Sequence, residues 1–198
     1  MRRLPTRHGD LDLPAFLPDA TRGIVRTLDA LDLEACRVEG LVVNTLHLSS
    51  HPGVSLVAGV GGIHRFMGWE RPVFSDSGGF QVLSLIAGSP KSGGVTKDGF
   101  TYRLGRDDRK ILTPETCVQK QFQLGADVMF CLDHCTHPGD GPERQRESVA
   151  HTLAWARRCK GEFQRRLDQR PPPGRPPLLF AVIQGVVEEA AIGIQSVA

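Results

Sequence analysis

The sequence predicts an α/β fold with a parallel sheet, and three observations carry that prediction. Four short apolar runs are spaced along the chain, helical patterns fill the gaps between them, and polar residues follow each run. The runs cover residues 41–44 (LVVN), 72–75 (PVFS), 127–132 (DVMFCL) and 178–183 (LLFAVI). They are nearly continuous in apolar character, as befits strands covered on both faces; a strand with one wet face would alternate.

In chain order, the first run gives way to Asn44-Thr45-Leu46-His47 and the second to Asp76-Ser77-Gly78-Gly79. Residues 88–108 hold SGG, KDG and LGRDD and read as an inserted excursion, with a hairpin through Phe100-Thr101-Tyr102-Arg103. Thr113-Pro114-Glu115 opens a helix: a capping hydroxyl, proline in the first turn, and an acid near the positive end of the dipole. That helix runs to Leu124 and stops at Gly125. The third run ends in Asp133-His134. A longer helix is expected from Pro142 to Gln169, with Val149, Leu153, Ala156, Phe163 and Leu167 on one stripe. PPPGRPP stops it as a stiff connector, and the fourth run ends in Gln184-Gly185. Strand and helix in alternation give a parallel α/β architecture.

At 198 residues the chain is long enough for one domain with a real core. Its 40% apolar and 23% charged content is that of an ordinary globular protein. A net charge of +2 announces no strong basic footprint, although a local patch can still serve a nucleic acid. No stretch approaches the ~20 apolar residues that span a bilayer, so no membrane role is expected. MRRLPTRHGDLDLP has no apolar core behind its arginines and is not a secretory signal. Five scattered cysteines then read as reduced thiols of a cytoplasmic protein.

Ligands of parallel α/β folds sit beyond the carboxyl ends of the strands. An amide, two carboxylates and a second amide arriving at one rim suit the polar edge of a purine-like base, which offers donors and an acceptor together. Phe80 can stack on the face of such a base, and Gly78 and Gly79 let backbone approach it. Singly, Asp76 also reads as a turn cap, Asp133 as a loop acid and Gln184 as unremarkable; their joint placement favours a site. The stretch 131–137 holds two Cys and two His. Its C-x₃-C spacing matches no zinc-finger or ribbon pattern, so no metal is assigned there, and Cys135 reads as a small pocket-lining group.

With these motifs assembled, the chain resembles the tRNA-guanine transglycosylase family, also called queuine tRNA-ribosyltransferases. The matching stretches are NTLHLSSHPG (44–53), FSDSGGFQVLSL (74–85), LTPETCVQKQFQLGADVMFCLDHCT (112–136) and FAVIQG (180–185). The resemblance implies a TIM-barrel-like (β/α)8 enzyme. It would exchange guanine at the tRNA anticodon wobble position for a 7-deazaguanine, on the route to queuosine. It implies proton transfer by Asp76, a base-binding loop of Ser77, Gly78, Gly79 and Phe80, and recognition of the base edge by Asp133, Gln184 and Gly185. The family's nucleophilic aspartate, its structural zinc site of Cys and His ligands, and its main RNA-contacting elements would all lie beyond Ala198. Residues 1–198 are therefore expected to form about the first half of the barrel, without a cofactor of their own. Outer strands left with unpaired edges then call for a second chain or copy to complete the barrel. The alternatives are a non-catalytic nucleobase-binding partner subunit and an inactive truncated remnant.

Overall fold

The computed structural model describes residues 2–103, 109–137 and 139–185. The chain opens with an antiparallel hairpin, β1 (Arg2–Thr6) and β2 (Gly9–Leu13), which the apolar runs did not announce. A short helix α1 (Ala30–Ala35) follows, begun by Asp29 in a reciprocal capping box with Asp32. Then come β3 (Leu41–Asn44), three short helices α2 (Thr45–Ser50), α3 (Val54–Gly59) and α4 (Ile63–Met67), β4 (Val73–Asp76) and α5 (Gly79–Gly88). After β5 (Gly93–Thr96), β6 (Gly99–Tyr102) and β7 (Lys110–Leu112), the chain continues through α6 (Pro114–Leu124), β8 (Val128–Phe130), α7 (Pro142–Gln169) and β9 (Leu178–Phe180).

The four apolar runs became one parallel sheet, in the order β3-β4-β8-β9. Its strands are shorter than the third and fourth runs, ending at Phe130 and Phe180. Both faces carry core. Val43 and Val73 pack with Leu48 and Val57 from the helices and with Trp69 just after α4, while Phe74 and Val128 pack with Leu11 of the hairpin. The β3 edge is not open. Residues 18–21 run alongside it: Val42 N–H donates to Pro18 O at 3.1 Å, Ala20 N–H to Val42 O at 2.7 Å and Asn44 N–H to Thr21 O at 3.3 Å. The expectation of two unpaired outer edges is corrected on this side.

The excursion is a three-stranded antiparallel sheet, β5-β6-β7, that reaches Leu112. The predicted hairpin segment supplies its central strand; residues 104–108 lie outside the described residues. Gly93 and Gly99 fit no side chain, because a Cβ would sit 1.9 Å from Thr101 O and 2.2 Å from Leu112 O respectively.

Helix α6 follows its sequence signals. Thr113 accepts from Thr116 N–H at 3.2 Å, Thr116 Oγ1 accepts from Thr113 N–H at 2.8 Å, and Gly125 ends the helix with φ +74°. Helix α7 has the predicted bounds; of the predicted stripe Ala156 is buried and Phe163 packs against the core, but the rest of the inward face runs through other residues. Its buried residues are Ser148, Thr152, Trp155, Ala156, Cys159 and Glu162, while Leu153 is 41% exposed. The polar groups on this inward face have partners. Thr152 Oγ1 accepts from His134 N–H at 3.0 Å, Trp155 Nε1 donates to Lys97 O at 2.8 Å, and Glu162 accepts from Gln119 Nε2 at 2.9 Å. A stripe drawn through apolar residues alone misses such a seam. Among the described residues no helix is long and apolar enough to cross a membrane.

Candidate functional site

The carboxyl ends of the parallel strands gather the polar residues on one rim. Asn44 and Asp76 are direct neighbours in the β3–β4 register. Asn44 works in two directions: its Oδ1 accepts from His47 N–H at 3.0 Å, capping α2, and its Nδ2 donates to Asp76 Oδ2 at 2.8 Å. Gly78 N–H donates to Asp76 Oδ1 at 2.9 Å, and the Thr45 hydroxyl donates to Asp76 O. Burial pushes the Asp76 carboxyl up to about 6, against the pull of these N–H donors. An acid placed there can hold or release a proton near neutral pH.

Asp133 follows β8 and is buried. Its Oδ1 accepts from Ser77 Oγ at 3.4 Å, and its Oδ2 accepts from Gln184 Nε2 at 2.6 Å and from the Cys135 thiol at 3.0 Å. Burial, and then the Asp133 charge, push the Cys135 thiol up to about 12, so it stays protonated and acts as a donor. Three consecutive parallel strands thus deliver Asp76, Asp133 and Gln184 side by side. Gly185 follows with φ +133°, a conformation open to glycine.

Gly78 and Gly79 both lie close against protein. A Cβ on Gly78, which has φ +76°, would lie 2.8 Å from Leu46 Cβ, and one on Gly79 would lie 3.1 Å from Asp133 O. They let the loop lie against α2 and the end of β8. Phe80 opens outward at 62% exposure, so its ring is available to a flat partner.

The stretch 131–137 disperses its donors. Cys131 lies in the core with Trp155 and Cys159, and Cys135 is on Asp133. His134 is buried, with Nδ1 3.2 Å from His151 Nδ1 and its ring stacked near Trp155; burial and then His151 lower its pKa. His137 Nδ1 accepts from Gly139 N–H at 3.1 Å.

Sequence reasoning missed two buried polar hubs. Gln121 projects from α6, accepts from Ser75 Oγ at 2.7 Å and Phe130 N–H at 3.0 Å, and donates to Phe130 O at 2.9 Å, tying β4 to β8. Asp127 precedes β8 and accepts from Val73 N–H (2.8 Å), His8 N–H (3.1 Å), His8 Nδ1 (2.8 Å) and His64 Nε2 (2.9 Å). The two imidazoles stack with centroids 3.6 Å apart. An acid inside an apolar run is the signal that could have found Asp127.

His8, His64 and Asp127 are also the one group of three potential metal donors brought together among the described residues. The set contains no thiolate, and each carboxylate oxygen already accepts from a backbone N–H. It does not fit a structural zinc site built from cysteines.

The fold and rim define a parallel α/β protein with two carboxylates and two side-chain amides at the carboxyl ends of its strands. A profile of the Queuine tRNA-ribosyltransferase family matches residues 1–192, and the chain belongs to that family. Proteins named Queuine tRNA-ribosyltransferase from Solidesulfovibrio magneticus and Halothermothrix orenii are 39% and 38% identical over 184 and 187 residues. These alignments cover 92% and 93% of this chain and 46% of each relative. A third, from Syntrophobacter fumaroxidans, is 41% identical over 159 residues, or 80% of this chain and 42% of the relative. The chain spans about half the length of the curated relatives it matches.

Proposed function

We propose that this chain is the base-recognising half of a tRNA-guanine transglycosylase, exchanging guanine at the anticodon wobble position for a 7-deazaguanine in queuosine synthesis. The observation that carries the reading is the delivery of Asp76, Asp133 and Gln184 by three adjacent parallel strands to one rim. On this reading β3, β4, β8 and β9 are the first half of a (β/α)8 barrel, with the β5-β6-β7 sheet as an insertion. A second chain or copy beyond β9 would complete it. Five free cysteines suit a reducing cytoplasm. The family's zinc site would belong to sequence after Ala198.

The chemistry assigns each residue a task. Asp133 accepts the N–H groups of the base edge in place of the Gln184 and Cys135 donors it now holds. Gln184, released from Asp133, donates to the base carbonyl. Ser77 and Gly185 border the base, and Phe80 covers its face. Asp76 moves the proton that the departing base gains or the incoming base loses. Attack at the ribose C1′ needs a further carboxylate, because Asp76 and Asp133 are both committed to the base.

Titrating guanine into the chain by calorimetry tests this. Asp133→Asn should weaken guanine binding roughly 10- to 100-fold, since it removes a charged acceptor and leaves a donor facing a donor. Unchanged affinity would overturn the assignment. The chain alone should not incorporate radiolabelled guanine into tRNA; incorporation would show that the nucleophile lies within these residues. A non-catalytic partner role is the second reading. Among the described residues nothing pairs with the outer edge of β9, and that edge could receive another polypeptide.

A further inference from the structure

Between Asp133 and Cys135 lies a buried histidine that the proposed chemistry leaves unused. His134 fastens this segment to α7 through its backbone: its N–H donates to Thr152 Oγ1 at 3.0 Å, and its carbonyl accepts from the Ser148 hydroxyl. Its ring meets the edge of Phe100 and stacks near Trp155 and His151, with centroids 6.0 and 5.3 Å away. Trp155 and His151 are in turn nearly parallel, with centroids 5.5 Å apart.

The two histidines meet through identical atoms, His134 Nδ1 and His151 Nδ1, 3.2 Å apart. One of these nitrogens must carry a proton and the other must be bare, since two N–H groups clash and two lone pairs repel. His134 Nε2 is buried with no hydrogen-bond partner among the described residues, so a charge on this ring has no outlet to water. His151 is only half-buried. A proton added to the pair is therefore best placed on His151, which then gives His134 Nδ1 a charge-assisted bond. A second proton has to enter His134, and there N–H would face N–H between two cations. Burial, and then His151, accordingly hold the His134 pKa below its ordinary value. Of the other groups facing it, Glu147 on α7 and Asp133 on its own segment favour the charged ring, and Arg144 on α7 opposes it; β6 presents the edge of Phe100. Among the described residues no third donor completes a metal-binding group with this pair.

We propose that the His134–His151 pair positions Asp133 for the base: with His134 neutral the pair holds residues 133–135 on α7, and a proton on His134 parts the rings and releases that segment. Asp133 is bonded to Ser77, Cys135 and Gln184, and the last two are the donors that a base displaces. His134 is the neighbour whose attachment does not change when the base arrives. The inference rests on the base-recognition reading and gives it a pH limit. Guanine affinity is full while His134 is neutral and is lost as pH falls through the His134 pKa.

Two titrations from about pH 8 to about pH 5 test this: NMR of isotope-labelled histidine rings for the His134 pKa, and calorimetry with guanine for affinity. In wild type, one fall in affinity should coincide with protonation of His134. His151→Phe keeps a flat ring beside Trp155 but removes the partner nitrogen and its charge. It should raise the His134 pKa by roughly 0.5 or more and carry that fall in affinity upward with it, while any step belonging to Asp76 stays in place. His151→Gln can still donate to His134 Nδ1 but never carries a charge, so it should lie between; it also serves if the Phe variant does not fold. If guanine binds and neither variant moves the His134 pKa or the affinity step, the proposal is overturned and the base reading stands. A step that stays put while the His134 pKa moves overturns it as well. So does a loss of affinity equal at every pH, which would mean that His151 only packs. A wild-type chain that binds no guanine at any pH overturns the base reading; a His134 pKa that still rises in His151→Phe would then uphold the pair as a proton-linked tie of this segment to α7.

Discussion

Asp127→Ala is expected to cost the fold roughly 3–5 kcal/mol, measured as a drop in urea-unfolding free energy. The side chain is fully buried and accepts from two backbone N–H groups and two imidazoles. Removal takes the acceptor from all four donors at a carboxylate position closed to solvent. It also cuts the hydrogen bonds that tie the hairpin turn, α4 and the start of β4 to the start of β8. Asp127→Asn keeps the shape and one acceptor and should lose less. Burial alone would raise the Asp127 pKa, but the bonds from His64, Val73 N–H and His8 outweigh it and hold it below the usual carboxylate value of 3.8. The folded state therefore gives up this proton more readily than the unfolded one. Its stabilisation is complete above 3.8 and is lost as pH falls through the depressed folded value. A loss under ~1 kcal/mol on truncation would mean the cluster is incidental.

Asp76 should act on stability in the opposite sense. Its folded pKa is about 6 against an ordinary 3.8, so the folded state holds this proton more tightly. Stability from this group is present below 3.8 and is lost as pH rises through about 6, amounting to ~3 kcal/mol at most. At neutral pH the ionised acid is a net cost to the fold; the proposed proton-transfer role would give that cost a use. The measurement is unfolding free energy of wild type and Asp76→Asn across that range. The variant should lack the fall seen in the wild type. Its absolute stability carries a separate penalty: Asn44 Oδ1 is bound to His47 N–H, so Nδ2 must face position 76, where the new amide has one oxygen for two donors. The slope, and not the offset, decides the matter. A wild-type profile identical in shape to the variant's would show that Asp76 titrates as an ordinary surface acid.

The parts of this fold legible in the sequence are those with a local cause. Helix α6 carries its start in Thr113-Pro114 and its stop in Gly125, and the four sheet strands carry theirs in apolar continuity. The placement of the rim residues was legible because Asn44, Asp76, Asp133 and Gln184 each close or directly follow an apolar run. What escaped depends on partners distant in sequence. The inward face of α7 is set by His134, Lys97 and Gln119, none of them on that helix. The space beside Gly78 is set by Leu46 and that beside Gly79 by Asp133. The outer cover of β3 comes from residues 18–21, which show no strand pattern because they join it through a single isolated bridge and not a regular ladder.

That cover has a consequence for assembly. A sheet with two free edges is a monomer with two reactive ends, and such monomers polymerise head to tail into open filaments. With residues 18–21 laid along β3, this sheet has at most one. A building block with a single reactive end cannot propagate a chain. It can be capped by a different polypeptide, or meet one copy of itself about a two-fold axis and stop. If β9 receives a second chain or copy, as proposed, growth there is self-limiting, and the four residues that precede the first strand of the sheet lower the fibre hazard at its other side.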